Sequence, residues 1–530
     1  MMVKEGRDMV RDQKILVGET ADNEEIYLYL SMANRHGLIA GATGSGKTVS
    51  LKILAEGLSA LGVSVFLSDV KGDLSGMMEV GTITESVKNR IEAFGIPEFA
   101  FTDFPVIFWD VFGQTGIPLR TTISEMGPML LARIMDLTDV QRDILTVVFK
   151  IADDRQLLLI DTKDLKAMLA YVSENNKEFE EDYGKLTGQS LSAITRAVVA
   201  LEAQGADVFF GEPALSVTDW LGTATDGRGM MHVLDAASLI QNPRLYATFL
   251  LWLLSELFES LPEVGDLQKP KMVFFFDEAH LLFKGAPKIL VEKIEQLVKL
   301  VRSKGVGVFF CTQNPSDIPQ GVLSQLGNKI QHAMHAYTPS EQKGVKAIAQ
   351  SFPVNPSLKT YDVIMELGTG EAVVSFLNLQ GVPSQAKKVC IMPPQSSMCA
   401  VDIGLRKQRV LESLLYSKYY ATVDPDSAYE FLKRHGEQLA AEKERLDRAV
   451  GEEKEKAKRV REESRNAKKE IEKQERERKR VVKSVGNSVA GTVGRELGKQ
   501  MGKGMGGFGK QLGGNIGASL GRGLLATFLK

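Results

Sequence analysis

Residues 36–48, His-Gly-Leu-Ile-Ala-Gly-Ala-Thr-Gly-Ser-Gly-Lys-Thr, constrain this chain more than any other stretch. A short apolar run ending at Ala40 leads straight into a loop that fits G-x-x-x-x-G-K-[ST] through Gly41, Gly46, Lys47 and Thr48. Gly44 adds a further glycine inside it. Glycines let successive backbone N–H groups turn inward around a polyphosphate. The expected cradle is Gly41, Ala42, Thr43, Gly44, Ser45, Gly46, Lys47, Thr48 and Val49. In such a loop the lysine reaches the β/γ-phosphates and the threonine hydroxyl ligates Mg²⁺. A helix must follow at once so that its dipole faces the phosphates. Residues 49–61 supply one, with Leu51, Leu54, Ala55 and Leu58 on one face. A glycine-rich turn would explain the loop alone. The strand before it and the helix after it favour nucleotide binding.

A strand-loop-helix-strand order implies a parallel sheet covered by helices. Residues 63–67 form the next strand, ending at Ser68-Asp69, and residues 105–109 another. From about residue 123 to 220 helical patterns dominate, and strands resume at 230–235, 272–276 and 306–311, with 371–376 as the last expected. This gives a core of residues 1–122 and 221–400 with a mostly helical insertion at 123–220. Residues 401–482 read as a helical extension, and 437–482 are almost all Glu, Lys, Arg, Gln and Ala. Mixed charges of this kind favour a long solvated helix with (i, i+4) pairs. Residues 483–530 form a glycine-rich tail, with Gly494, Gly498, Gly502 and Gly506 four apart. If helical, that spacing makes a stripe for close helix contact; otherwise the tail is flexible.

Composition narrows the partners. With a net charge of −2, no global basic field attracts nucleic acid, so DNA contact needs a local basic surface. Cys311, Cys390 and Cys399 form no metal-spaced pair and suit a reducing compartment. Residues 1–24 are charged throughout, unlike a secretory signal, and no apolar run reaches the roughly 18 residues of a membrane span. A cytoplasmic protein is expected.

A second signature lies downstream. The apolar residues 272–276 deliver Asp277 and Glu278 at a strand end. In P-loop enzymes the first acid belongs to the Mg²⁺ shell, and an adjacent Glu suits a base for the attacking water. Asp-Glu-Ala-His at 277–280 also spells a helicase box of another superfamily, but nothing else in the chain supports it, and His280 reads as structural. A helix over 286–304, with Leu290, Ile294, Leu297, Val298 and Val301 buried, precedes Gly305 as its cap. Arg302 at its end either complements the helix dipole or serves as an arginine finger for a neighbouring subunit. Spacing does not choose. The following strand ends at Gln313, an amide able to sense a γ-phosphate.

The segments HGLIAGATGSGKT, RTTISEMGP (120–128), FFFDEAHLLF (274–283) and VRSKGVGVFFCTQNPSDIP (301–319) together resemble the HerA–FtsK superfamily of hexameric ATPases. Within it they are most similar to the bacterial HerA-like helicase C-terminal domain proteins, over most of residues 10–400. The resemblance implies an α/β, RecA-like (ASCE-type) P-loop NTPase with an extra strand between its two nucleotide-binding strands. It also implies ATP and Mg²⁺ as ligands and a homo-oligomer, a hexamer. By position, Lys47 and Thr48 hold phosphate and Mg²⁺, Asp277 the metal, Glu278 is the base, Gln313 the sensor and Arg302 the finger in trans, with Lys304 close by as the other candidate. About 35 residues precede the phosphate loop, fewer than the N-terminal β-barrel of HerA needs. The leading expectation is an ATP-driven motor on DNA. The alternatives are an ATPase remodelling a protein or membrane-associated complex through its tail, or a nucleotide-dependent scaffold.

Overall fold

The computed structural model describes residues 9–96, 99–265, 267–284 and 288–482. They fall into two units, residues 1–436 and 437–530. In the first, the strands are β1 (Val10–Arg11), β2 (Lys14–Glu19), β3 (Glu25–Tyr29), β4 (Gly37–Ala40), β5 (Ser64–Asp69), β6 (Val106–Asp110), β7 (Ile117–Pro118), β8 (Met231–Asp235), β9 (Met272–Phe276), β10 (Val306–Thr312), β11 (Asn328–Gln331), β12 (Glu371–Ser375) and β13 (Lys387–Ile391). They form one sheet in the order β1-β2-β13-β12-β11-β4-β10-β9-β5-β8-β6-β7, with β3 beside β2. From β11 through β7 every pairing is parallel. The strands from β12 to β1 make an antiparallel wing. The fold is therefore mixed α/β and RecA-like, with β10 lying between the phosphate-loop strand β4 and the carboxylate strand β9.

The parallel strands are buried on both faces, which is why they read as unbroken apolar runs. All five side chains of β9 are fully buried, each contributing about 1.5–3 kcal/mol by leaving water. β11 and β13 were not expected, and Glu371–Ser375 is not the last strand. β11 reads Asn-Lys-Ile-Gln, and its polar residues hide it. Asn328 is buried yet satisfied: its Nδ2 donates to the carbonyls of Met32 (2.9 Å) and His36 (3.0 Å), and its Oδ1 accepts from Leu377 N (3.2 Å).

The helix after the loop spans Lys47–Ala60, beginning two residues earlier than expected, so Lys47 and Thr48 lie in its first turn. It is buried well beyond one face. Residues 395–399 lie against it: Lys52 Nζ donates to Ser397 O at 2.6 Å, and Glu56 accepts from Gln395 N (2.8 Å) and Ser396 N (3.1 Å). Between β7 and β8 the chain runs through helices Ile123–Ile134, Asp139–Asp154, Thr162–Glu174, Asn176–Tyr183, Gly188–Glu202 and Ala206–Phe209. The expected helix over 286–304 spans Lys288–Val301, followed by a 3₁₀ turn, Arg302–Lys304, and a left-handed Gly305. Ile294, Leu297, Val298 and Val301 are buried; the side chain of Leu290 lies outside the described ones.

In the second unit, residues 437–482 belong to the helix Ala428–Val482, and residues 437–474 are exposed, with (i, i+4) pairs such as Arg448–Glu444 at 2.5 Å. The glycine-rich residues 483–530 lie outside the described residues. Among the described residues no helix is long and apolar enough to cross a membrane.

Candidate nucleotide site

The loop is built by the strands that flank it. Gly41 N donates to Thr312 O at 3.3 Å, and Ala42 N to Ala333 O at 2.8 Å, tying the loop to the ends of β10 and β11. Gly41 adopts φ +150°, and a Cβ there would come within 2.6 Å of His332 Cβ. Gly44, at φ +76°, would meet nothing within 4 Å, so the loop's outer rim is open. Lys47 Nζ curls back onto the carbonyls of Gly41 (2.7 Å) and Ala42 (3.0 Å), inside the concavity. Burial and then the Lys71 charge lower its pKa, while Asp277 and Glu278 oppose that shift.

The two carboxylates stand at the end of β9. Asp277 Oδ1 accepts from Glu278 N at 2.9 Å, and burial, reinforced by the Glu278 charge, raises the Asp277 carboxyl to about 6. A divalent cation beside it would favour the ionised form. Glu278 is in the left-handed region at φ 48°, a conformation costing about 1–2 kcal/mol for a residue with a Cβ. A closed ring of hydrogen bonds holds the preceding peptide. Asp277 N donates to Ser68 Oγ (2.9 Å), and Tyr246 Oη donates to Asp277 O (2.9 Å). Ser68 and Tyr246 hydroxyls lie 3.0 Å apart.

Gln313 joins the carboxylate to the loop. Its Nε2 donates to Glu278 Oε1 at 3.1 Å, and its Oε1 accepts from Thr43 Oγ1 at 3.4 Å. The site therefore brings together the loop, Lys47, Asp277, Glu278 and Gln313. Thr48 lies half-buried in the first turn of the helix, with Val49 beside it. Arg302 is not among them. It precedes β10, whereas Gln313 follows it, and seven strand residues, roughly 20 Å, separate the two ends. His280 Nδ1 lies 3.4 Å from Glu278 Oε2.

Several contributors escaped the sequence reading. His332 is buried behind the loop. Its Nδ1 donates to Glu371 O (2.9 Å), so in the neutral ring Nε2 accepts from Ser50 Oγ (2.9 Å), and burial lowers its pKa to about 4. Gly370, at φ +77°, donates its N–H to Ser45 O at 3.1 Å. Arg90 clamps that turn, donating to Gly370 O (2.8 Å), Ile391 O (3.2 Å) and Thr369 O (3.0 Å). Arg90→Ala should lower stability by about 1–3 kcal/mol, since charge-assisted bonds are lost while the carbonyls remain. Chemical denaturation measures it, and an unchanged midpoint would contradict the clamp. Lys71 stands with its Nζ 3.9 Å from Glu278 Oε1. A lone lysine in a loop carries no pattern, so only strand pairing exposes it.

A family model described as Helicase HerA-like C-terminal matches residues 14–513. The chain belongs to that family. It is a P-loop ATPase, and the match runs past residue 400, into the charged helix and the glycine-rich tail. A curated relative, the DNA double-strand break repair helicase HerA of Sulfolobus acidocaldarius, is 22% identical over 364 residues, or 66% of this chain. The aligned part is 64% of that relative's length. Among solved structures, the bacterial conjugative coupling protein TrwBdeltaN70 is 15% identical with a TM-score of 0.48, covering 72% of this chain and 92% of that one. VirB4 of Thermoanaerobacter pseudethanolicus is 17% identical with a TM-score of 0.43, covering 73% and 98%.

Proposed function

We propose that this chain is the ATP-hydrolysing subunit of a homo-oligomeric ring, a hexamer, that acts on DNA as a translocase. One observation carries the hydrolytic part: a continuous contact from Thr43 in the loop through Gln313 to Glu278. That chain links a phosphate cradle, an amide sensor and a base. The cradle, residues 41–49, would bind the phosphates of ATP, with Lys47 supplying positive charge. Glu278 would take the proton of the attacking water, and Gln313 would hold that carboxylate and register the γ-phosphate.

The residues present fit Mg²⁺. Among the described residues no cluster of three or more His, Cys, Asp or Glu is suited to hold a metal. Mg²⁺ needs none here, because it keeps water and phosphate oxygens and takes one or two protein oxygens. Thr48 and the buried Asp277 would supply those. When bound, the ion would neutralise charge on the β- and γ-phosphates.

Assembly into a ring rests on the family and on the candidate finger, Arg302. Lying at the far rim of its own sheet, it would serve a neighbouring subunit's γ-phosphate as a finger in trans. Lys304 suits that role less well, because its ammonium sits 4.9 Å from the Phe258 ring centre. DNA as the substrate rests on the family and on the curated relative, whose name is that of a DNA repair helicase. We also assign the chain to the cytoplasm, where its free cysteines would stay reduced.

The test of the DNA assignment is binding of the full chain to duplex DNA, with a Mg²⁺–ATP analogue, across a salt series. Affinity should fall steeply with salt as phosphate contacts release counterions. Absence of binding at low salt would move the reading to the protein- or membrane-directed ATPase that the mixed-charge helix at residues 437–482 would serve.

A further inference from the structure

Lys71 takes no part in the proposed hydrolysis, yet its position is closely fixed. β5 ends at Asp69, whose side chain accepts from three following backbone N–H groups: Lys71 (3.2 Å), Gly72 (2.7 Å) and Leu74 (3.1 Å). Gly72, at φ +83°, allows the chain to turn back tightly. The Asp69 backbone carbonyl accepts from Ala236 N at 2.8 Å, which fixes the turn to the end of β8. β5 is also the direct parallel neighbour of β9, with Leu67 opposite Phe275. The two strands therefore deliver Lys71 and Glu278 to the same rim.

At that rim the Lys71 ammonium stands beside the Glu278 carboxylate. Its Nζ is 3.9 Å from Glu278 Oε1, the oxygen that also accepts from Gln313. The Lys71 side chain is 44% exposed, whereas Glu278's is 8% exposed, so the lysine is the partner free to move. Its charge lies close enough to Lys47 to oppose that group's ionisation, second only to burial. Both ammonium groups, Lys71 and Lys47, are thus within electrostatic reach of Asp277 and Glu278. With the lysine half-exposed and its nitrogen 3.9 Å away, the pair by itself is worth no more than about 1 kcal/mol and needs no such positioning. A γ-phosphate brings concentrated negative charge to this spot, and a lysine with rotatable donors is suited to follow it.

We propose that Lys71 contacts the γ-phosphate of bound ATP and, in moving there, releases Glu278 to act as base. The inference rests on the reading of this site as an ATPase centre. Lys71 then has two effects. It makes binding selective for the triphosphate over the diphosphate, because only the triphosphate offers its ligand. It also ties release of the base to arrival of the group to be cleaved, which guards against unproductive chemistry.

The test uses the full chain with MgADP and with the Mg²⁺ complex of the β,γ-imido analogue of ATP. Binding is measured for wild type, Lys71→Ala and Lys71→Arg, together with kcat and KM for ATP. Lys71→Ala should leave ADP affinity within about twofold and weaken the imido analogue by roughly tenfold or more, the worth of a charge-assisted hydrogen bond. Its kcat should fall about 10²-fold, as when a donor to developing charge is removed. Lys71→Arg, which keeps the charge, should recover part of both. Equal weakening toward the two nucleotides would mark Lys71 as structural and overturn the proposal, as would an unchanged ratio with unchanged kcat. A wild-type chain binding neither nucleotide would instead overturn the ATPase reading of the site itself.

Discussion

Glu278→Gln should keep ATP bound and lose about 10²–10⁴-fold in turnover, the usual worth of a positioned general base. The substitution preserves shape. Glutamine retains a carbonyl oxygen to accept from Gln313 Nε2, which now lies 3.1 Å from Glu278 Oε1. The backbone demand is also unchanged, since the left-handed φ of 48° suits neither residue better than the other. The hydrogen bond from residue 278 N to Asp277 Oδ1 uses only the backbone and survives. What disappears is the capacity to accept a proton from water. Fluorescent-nucleotide binding and phosphate release, measured on the same preparation, separate the two effects. Turnover within a few-fold of wild type would remove Glu278 from the role of base.

Arg302→Ala should also abolish hydrolysis, by ~10³–10⁵-fold if the side chain is a finger. Within one subunit Arg302 stands before β10, and the phosphate loop lies beyond the other end of that strand. A local role, complementing the helix end, would be worth under about 1 kcal/mol and would leave turnover almost intact. The two readings differ by orders of magnitude. Mixing subunits makes the test sharper. An Arg302→Ala subunit keeps its base, and a Glu278→Gln subunit keeps its finger. At a boundary where the first supplies the base and the second the finger, the site is whole. Two inactive preparations should therefore regain activity when mixed and reassembled. No recovery, or full activity of Arg302→Ala alone, would contradict a shared site.

How far the sequence reveals the site depends on whether a residue's role is written in local pattern. The loop was legible because glycine content and an adjoining apolar strand are both local signals. Asp277 and Glu278 were legible because β9 is a fully buried run that stops abruptly at charge. Gln313 could be named only from the end of its strand, and its bond to Thr43 joins residues 270 positions apart. Lys71, Tyr246, His332 and Arg90 act through strand pairing and turn packing, which no window of sequence displays. β11 stayed hidden for a related reason: Asn328 and Gln331 are polar residues buried in a sheet, with Asn328 satisfied by partners far along the chain. The helix after the loop is buried beyond its expected apolar face, because residues 395–399 cover Lys52 and Glu56 and hydrogen-bond both side chains.

Steady-state turnover tests most directly whether the ATPase centre is coupled to a DNA substrate. ATP hydrolysis by the full wild-type chain is measured at saturating Mg²⁺–ATP with and without linear duplex DNA, over rising salt. Turnover should rise several-fold with DNA at low salt, and the stimulation should fade as salt screens the contacts. Robust hydrolysis that duplex DNA leaves unchanged at every salt concentration would contradict a DNA-driven motor.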